Sequence, residues 1–357
     1  MAHVFIAPHA DDVALSCGGL IASLRELGQN VAIVTVYSGG PAGELTAYQR
    51  EALGFGSKAL WPNTEAFNRA AIAADVPGDG GHAAPWLATE GQLEATQADA
   101  DAAAKRFWQR SSWYRRASIR RERLAGQALM EDTPTQGAVV TTEVVAAASA
   151  GDASAARRME DERYANFAEA SIVFLDLPDA VFRGYAGDGQ LLGPPRDDDP
   201  APYEALREEV ARLEPQRAYF PLGVGGHVDH QLCQTVGLGL LAEASTWTMP
   251  GPDWGRSVVF YEDFPYAWWS DFRRFEDLPE ASRSGVPAGL SLTPEYADIG
   301  DQIERKIRGI SIYESQLGRL FGDVHEMAGA VREYGQKVGS LSSRGGSAER
   351  YWVATRY

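Results

Sequence analysis

The chain has 357 residues, 45% of them hydrophobic, which is enough for one large α/β domain or two ordinary ones with a substantial core. A formal charge of −16 repels phosphate, so it excludes general binding to nucleic acid or to an anionic membrane and requires any anion site to be local. Two cysteines, Cys17 and Cys233, exclude a disulfide framework and a Cys-x-x-Cys metal or redox motif, and both read as reduced and structural.

The first predicted element is a short buried strand at 4–7, followed by apolar residues at helical spacing over 13–27 and a β-branched run at 31–37 after the stop signal Gly28. These three form a βαβ unit. Further strands are expected at 171–175, 217–221 and 257–261, with helices near 157–169, 231–244 and 299–320. Alternating strands and helices predict a Rossmann-like α/β fold whose mainly parallel sheet is flanked by helices. The N-terminus lacks a cationic leader, and no segment offers about 18 uninterrupted apolar residues, which predicts a cytoplasmic protein without stable membrane insertion. No internal repeat of fixed period is present.

The interval from about 57 to 150 differs. It is rich in Ala, Gln, Asp and Gly, includes the turn-rich Pro77-Gly78-Asp79-Gly80-Gly81, and reads as a helical or irregular insertion into a single domain spanning 1–357. Within it, eight cations between Lys105 and Arg123 alternate with Phe107, Trp108, Trp113 and Tyr114. This stretch reads either as an anion-gripping lid or partner-binding helix, or as a solvated helical face with its aromatics packed on the main domain.

Two short segments carry the chemistry. His9-Ala10-Asp11-Asp12 ends the first strand, and His227-Val228-Asp229-His230 follows the strand at 217–221; together they hold three of the six histidines. In open parallel sheets, ligands sit beyond the carboxyl ends of the strands, where both segments fall. Imidazoles and carboxylates converging in one cleft suit hydrolytic zinc, which takes about three N/O ligands, leaves a position open and works beside a carboxylate base. Gly18-Gly19 is not a phosphate loop: no Gly-x-Gly-x-x-Gly follows the first strand, and Asp11 and Asp12 fill the turn, so the pair reads as a close-packing feature. No Gly-x-Ser-x-Gly nucleophile elbow is present.

These motifs, with Leu15-Ser16-Cys17-Gly18-Gly19 and Pro221-Leu222-Gly223-Val224-Gly225-Gly226 before His227, resemble the LmbE-like (PIG-L) family of zinc-dependent N-deacetylases. The resemblance continues in order through Arg157-Arg158-Met159-Glu160-Asp161, Leu175-Asp176-Leu177-Pro178-Asp179-Ala180 with Arg183, Tyr261-Glu262-Asp263-Phe264-Pro265-Tyr266, and Lys306, Tyr313, Ser315 and Gln316. It covers roughly 3–56 and 155–355 and leaves the insertion outside.

The resemblance implies that His9, Asp12 and His230 bind zinc, or another divalent transition metal. It implies that Asp11 is the general base, that His227 stabilises the oxyanion or protonates the leaving amine, and that Asp229 orients a histidine. A cationic His227 would suit a developing negative charge. The family's substrate-binding arginine corresponds to Arg157 or Arg158, with spacing to Glu160 favouring Arg157. Ala10 stands where proline is common, and Gly225 stands where some relatives carry a tyrosine, leaving Tyr261 or Tyr266 to supply one. Trp268 and Trp269 read either as a sugar-stacking wall or as core. The implied substrate is a small N-acetylated amino sugar of N-acetylglucosaminyl type or its conjugate, and a homo-oligomer is compatible with the resemblance. The competing readings are a zinc amidase acting on a larger sugar or thiol conjugate, and a noncatalytic sugar- or nucleotide-binding module.

Overall fold

Val4, Phe5, Ile6 and Ala7 are 0–1% exposed because this apolar run lies at the centre of a seven-stranded sheet and is covered on both faces. The computed structural model of the chain describes residues 2–40, 43–55, 150–199, 201–246, 257–270, 285–342 and 345–356. The insertion expected at 57–150, apart from its last residue, and the basic stretch within it lie outside the described residues.

In chain order the described elements begin with β1 (Ala2–Ala7), α1 (Asp12–Glu26), β2 (Asn30–Thr35), α2 (Ala47–Ala52), α3 (Ala150–Ala168) and β3 (Ser171–Phe174). They continue with α4 (Asp188–Leu191), α5 (Tyr203–Leu213), β4 (Pro215–Pro221), α6 (Val228–Thr246), β5 (Val258–Tyr261) and α7 (Tyr266–Ser270). The last are β6 (Leu290–Asp298), α8 (Ile303–Ile310), α9 (Glu314–Leu320), α10 (Val324–Gly339) and β7 (Ala348–Arg356).

The strand order is β3-β2-β1-β4-β5-β7-β6. The five strands expected from the sequence pair in parallel, and β7 pairs antiparallel with both β5 and β6. The sheet is therefore mixed but mainly parallel, with helices on both faces. From β1 the chain builds outward through β2 and β3, then crosses to place β4 and β5 on the other side. The order reverses between β1 and β4, so their adjacent carboxyl ends open the crevice in which α/β sheets bind ligands.

Alternation along the strands divides the core. Val4, Ile6, Val34 and Phe220 face Leu206 and Val210 of α5 and Val236 of α6. Phe5, Ala7, Ile33 and Tyr219 face Leu15 and Ile21 of α1, Tyr164 of α3, Ile310 of α8 and Val331 of α10. Each fully buried aliphatic or phenyl side chain contributes about 1.5–3 kcal/mol.

The helix expected at 299–320 is broken into a 3-10 turn at Gly300–Gln302, then α8 and α9. Side chains of α3 hold the break: Tyr313 donates its hydroxyl to Asp161 at 2.6 Å, and Ser315 donates its amide and hydroxyl to Glu160 at 2.9 and 2.6 Å. A Cβ on Gly19 would lie 2.5 Å from Ile299 Cγ2 and 2.9 Å from Glu349 Oε1, so this glycine admits close packing of α1 against its neighbours.

Candidate functional site

β1 ends at Ala7, and two residues later the chain turns into α1. Asp11 makes that turn with φ 94° and ψ −34°, a backbone that residues with side chains rarely adopt and that marks functional sites more often than ordinary turns. Its carbonyl accepts the Leu15 amide at 2.9 Å and starts the helix, while its side chain makes no capping bond. Asp12, by contrast, is bonded through its side chain. Its Oδ2 accepts the His9 amide at 2.8 Å and stands 3.3 Å from His9 Nδ1.

β4 delivers the second segment. His230 places Nε2 3.3 Å from the same Asp12 Oδ2, while its Nδ1 donates to Asp263 Oδ1 at 2.6 Å. Asp263, just past β5, is fixed in turn by the Val224 amide at 2.9 Å. His9 donates Nε2 to Asp229 Oδ2 at 2.8 Å. Each of the two imidazoles is thus anchored through one nitrogen by a buried carboxylate and turns the other toward Asp12. His227 completes the group, with its ring centroid 4.8 Å from that of His9 and 5.2 Å from that of His230. Atoms of His9, His227 and His230 that could bind a metal lie within 4.8 Å of one another, as do those of His9, Asp179 and Asp229.

This donor set fits a divalent transition metal. Two imidazole nitrogens and a carboxylate oxygen suit zinc, and 3.3 Å from Asp12 Oδ2 to each nitrogen is close to the roughly 3.3–3.5 Å between two ligands of a tetrahedral zinc.

The site is buried and strongly polarised. Burial opposes charging of His9, but Asp179, Asp12 and Asp229 outweigh it and push the ring up to about 9. Burial likewise opposes charging of His230, yet Asp12 and Asp263 raise it well above the ordinary histidine range. Burial disfavours the Asp12 carboxylate, but His230 and then His9 hold it well below the usual range. Asp11 goes the other way: burial and then the Asp12 charge push it well above the ordinary carboxylate value, with Arg157 opposing. His227 is shifted toward its neutral form. Burial first, and then the His9 charge, lower it well below the ordinary value. Its Nδ1 accepts the Asp229 amide at 3.2 Å, so the neutral ring carries its proton on Nε2.

The structure separates the two candidate arginines. Arg157 reaches the site, with Nη1 3.4 Å from Asp179 and Nη2 3.3 Å from the Ala10 carbonyl; its buried Nε has no partner among the described residues. Arg158 pairs with Asp176 at 2.5 Å and stacks over Phe174 instead. Tyr266, rather than Tyr261, borders the histidines. Its ring stands perpendicular to that of His230 at 5.7 Å, whereas the Tyr261 hydroxyl is spent on the Ile6 carbonyl at 2.8 Å. A Cβ on Gly225, which has φ +88°, would lie 2.5 Å from Tyr266, so the tyrosine ring fills the space a side chain at 225 would need. Trp269 packs edge-on against Tyr266 at 5.4 Å, and Trp268 lies 6.3 Å from Phe264.

Asp263, Asp179 and Arg183 were given no site role by sequence reasoning. The missed signal was positional: Asp179 and Asp263 follow the ends of β3 and β5, as His9 follows β1.

Fold and cleft define an α/β protein with a candidate metal centre at the switch point of its sheet. A family model described as GlcNAc-PI de-N-acetylase (PIG-L) matches residues 4–107. A 2′-N-acetylparomamine deacetylase of Streptomyces fradiae is 32% identical over 163 residues, and the match spans 45% of this chain and 53%, about half, of that relative. Two solved structures share the fold over almost the whole chain. One is the A40926 pseudoaglycone deacetylase, with TM-score 0.55 and 19% identity over 99% of this chain and 97% of that one. The other is a zinc-inhibited form of a teicoplanin deacetylase, with TM-score 0.57 and 17% identity over 100% of this chain and 99% of that one. These matches are to LmbE-like (PIG-L) deacetylases, and they bear out the resemblance read from the sequence motifs. Among the described residues, no helix is long and apolar enough to cross a membrane.

Proposed function

We propose that the chain is a metal-dependent hydrolase that removes an acetyl group from an N-acetylated amino sugar or its conjugate. The observation that carries this reading is the position of Asp12 Oδ2, 3.3 Å from one nitrogen of each of two anchored histidines, with the Asp11 carboxylate, which makes no capping bond, one residue away. His9, Asp12 and His230 would hold zinc or another divalent transition metal. When bound, such an ion polarises an amide carbonyl and acidifies water.

The chain's own groups supply the rest. Asp11 takes the proton of the water that attacks the acetyl carbonyl, a role its burial favours by making the carboxylate a stronger base. His227 donates a hydrogen bond from its Nε2–H to the oxygen on which negative charge develops and keeps its proton. The C–N bond then breaks, the amine leaves with the proton from Asp11, and acetate remains. Asp229 and Asp263 keep the two ligand histidines oriented. Arg157, close to Asp11 and incompletely paired, binds a polar group of the substrate, while Arg158 remains in its surface ion pair. Tyr266 and Trp269 form an apolar wall beside His230 for a pyranose ring. The likeness to a 2′-N-acetylparomamine deacetylase supports an amino-sugar glycoside over a lipid conjugate. We read the 57–150 segment as an insertion into one catalytic domain.

The test is acetate release from a panel containing N-acetylglucosamine, 2′-N-acetylated paromamine and an N-acylated glycopeptide. Release from at least one acetylated amino sugar supports the reading. Release only of longer acyl groups would make the protein an amidase of the same chemistry, and no release from any would contradict the proposal.

A further inference from the structure

We infer that Arg183, clamped by Asp199, is a positioning residue that fixes the orientation of His9 by locking Asp229; this rests on the proposed metal site. Arg183 follows the 3-10 turn Ala180–Phe182, whose Val181 amide is capped by the Asp179 carboxylate at 3.1 Å. Its guanidinium donates to Asp199 through Nε at 2.6 Å and Nη2 at 2.9 Å, to Asp229 Oδ1 through Nη2 at 2.6 Å, and to the Pro178 carbonyl through Nη1 at 2.7 Å. Tyr185 donates its hydroxyl to Asp199 Oδ2 at 2.9 Å, and the guanidinium lies over the Tyr37 ring at 4.8 Å. The Arg183 side chain is 13% exposed, that of Asp199 3% and that of Asp229 0%.

The consequence falls on Asp229. One of its oxygens is held by Arg183, and the other accepts the Ala180 amide at 3.1 Å and His9 Nε2 at 2.8 Å. A carboxylate held at both oxygens cannot swing, so the His9 ring it grips keeps Nδ1 toward Asp12. Without Arg183, Asp229 would rotate about its Cβ–Cγ bond, and the direction in which His9 presents its ligating nitrogen would loosen with it. Two buried carboxylates sharing one guanidinium also explains why arginine stands here. A lysine offers a point charge rather than a rigid fork and cannot bridge both acids in the same geometry.

A merely structural role for Arg183, tying the segment after β3 to α6, would change stability but not the metal affinity of the folded protein. The measurement is therefore the zinc dissociation constant of the full chain by competition with a chromogenic chelator, well below each variant's melting temperature. Wild type is compared with Arg183→Lys and Asp199→Asn, and the visible spectra of the cobalt-loaded proteins are recorded alongside. Arg183→Lys is expected to weaken zinc binding by roughly 10- to 100-fold and alter the cobalt spectrum, and Asp199→Asn to shift both in the same direction by less. If Arg183→Lys does not fold, Asp199→Asn carries the comparison alone. Unchanged affinity and spectrum in the folded variants overturn the inference while leaving the metal site intact, whereas a wild-type chain that binds no zinc overturns both.

Discussion

Asp263 grips His230 through Nδ1 at 2.6 Å and thereby turns Nε2 of the same ring to within 3.3 Å of Asp12 Oδ2. The Val224 amide holds the other oxygen of Asp263, so the acceptor cannot follow a rotating ring. Asp263→Asn replaces an anionic acceptor with an amide and frees the ring. Zinc affinity is expected to fall by about 10- to 100-fold, measured by chelator competition. Wild-type affinity would show that Asp263 does not orient His230.

Gly225 and Tyr266 exclude each other's side chains. Gly225→Ala places a Cβ 2.5 Å from the tyrosine ring at a residue with φ +88°. The strain and the clash are expected to cost about 1–3 kcal/mol and to lower kcat by displacing Tyr266 from His230. Urea unfolding and acetate-release kinetics check this, and a variant with wild-type stability and turnover would contradict it.

Asp161 predicts a particular pH dependence of stability. Burial raises its carboxyl from the ordinary 3.8 to about 6, against the opposing hydrogen bonds from Thr35 and Tyr313. The folded state holds this proton more tightly than the unfolded chain. The resulting stability is fully present below about pH 3.8 and is lost as pH rises through about 6. Asp161→Asn stays neutral, so its stability relative to wild type should improve by up to about 3 kcal/mol between pH 4 and 7. Urea unfolding of both proteins across that range measures the difference, and a difference independent of pH would contradict the assignment.

Lys306 and Glu349 form a buried ion pair at 2.7 Å, and Glu349 also accepts the amides of Gly19 and Leu20 at 2.8 and 2.9 Å. Lys306→Met leaves that carboxylate buried without its cation and should lower stability by about 3–5 kcal/mol. Adding Glu349→Gln should recover part of the loss. The melting temperatures of the two single variants and the double variant test this, and additive losses would mean that the pair is not coupled.

Much of the fold was legible because hydrophobic burial writes a periodic signal. The apolar runs ending at Ala7, Phe174, Pro221 and Tyr261 mark four of the five parallel strands, and their carboxyl ends locate the cleft. The antiparallel pair was hidden by its composition. β6 carries Pro294 and half-exposed side chains, and β7 buries Glu349 and Arg350, whose partners lie far away in sequence. The break between α8 and α9 was equally non-local, since Glu160 and Asp161 impose it. At the site, the segments His9–Asp12 and His227–His230 stood out through residue type and spacing, and the family resemblance singled out His9, Asp12 and His230 among them. Asp263 and Arg183 did not, because an orienting carboxylate or guanidinium is defined by what it touches, and a single aspartate or arginine carries no periodic signature.

The most direct test is the division of labour between Asp11 and Asp12, adjacent residues at the φ 94° turn. Zinc content and acetate release should be measured together for wild type and Asp11→Asn, both prepared without chelators. The account predicts about one zinc per chain in both proteins, with acetate release reduced by roughly 100-fold or more in the variant. An Asp11→Asn protein that releases acetate like wild type, or a wild-type protein without a transition metal, would contradict it.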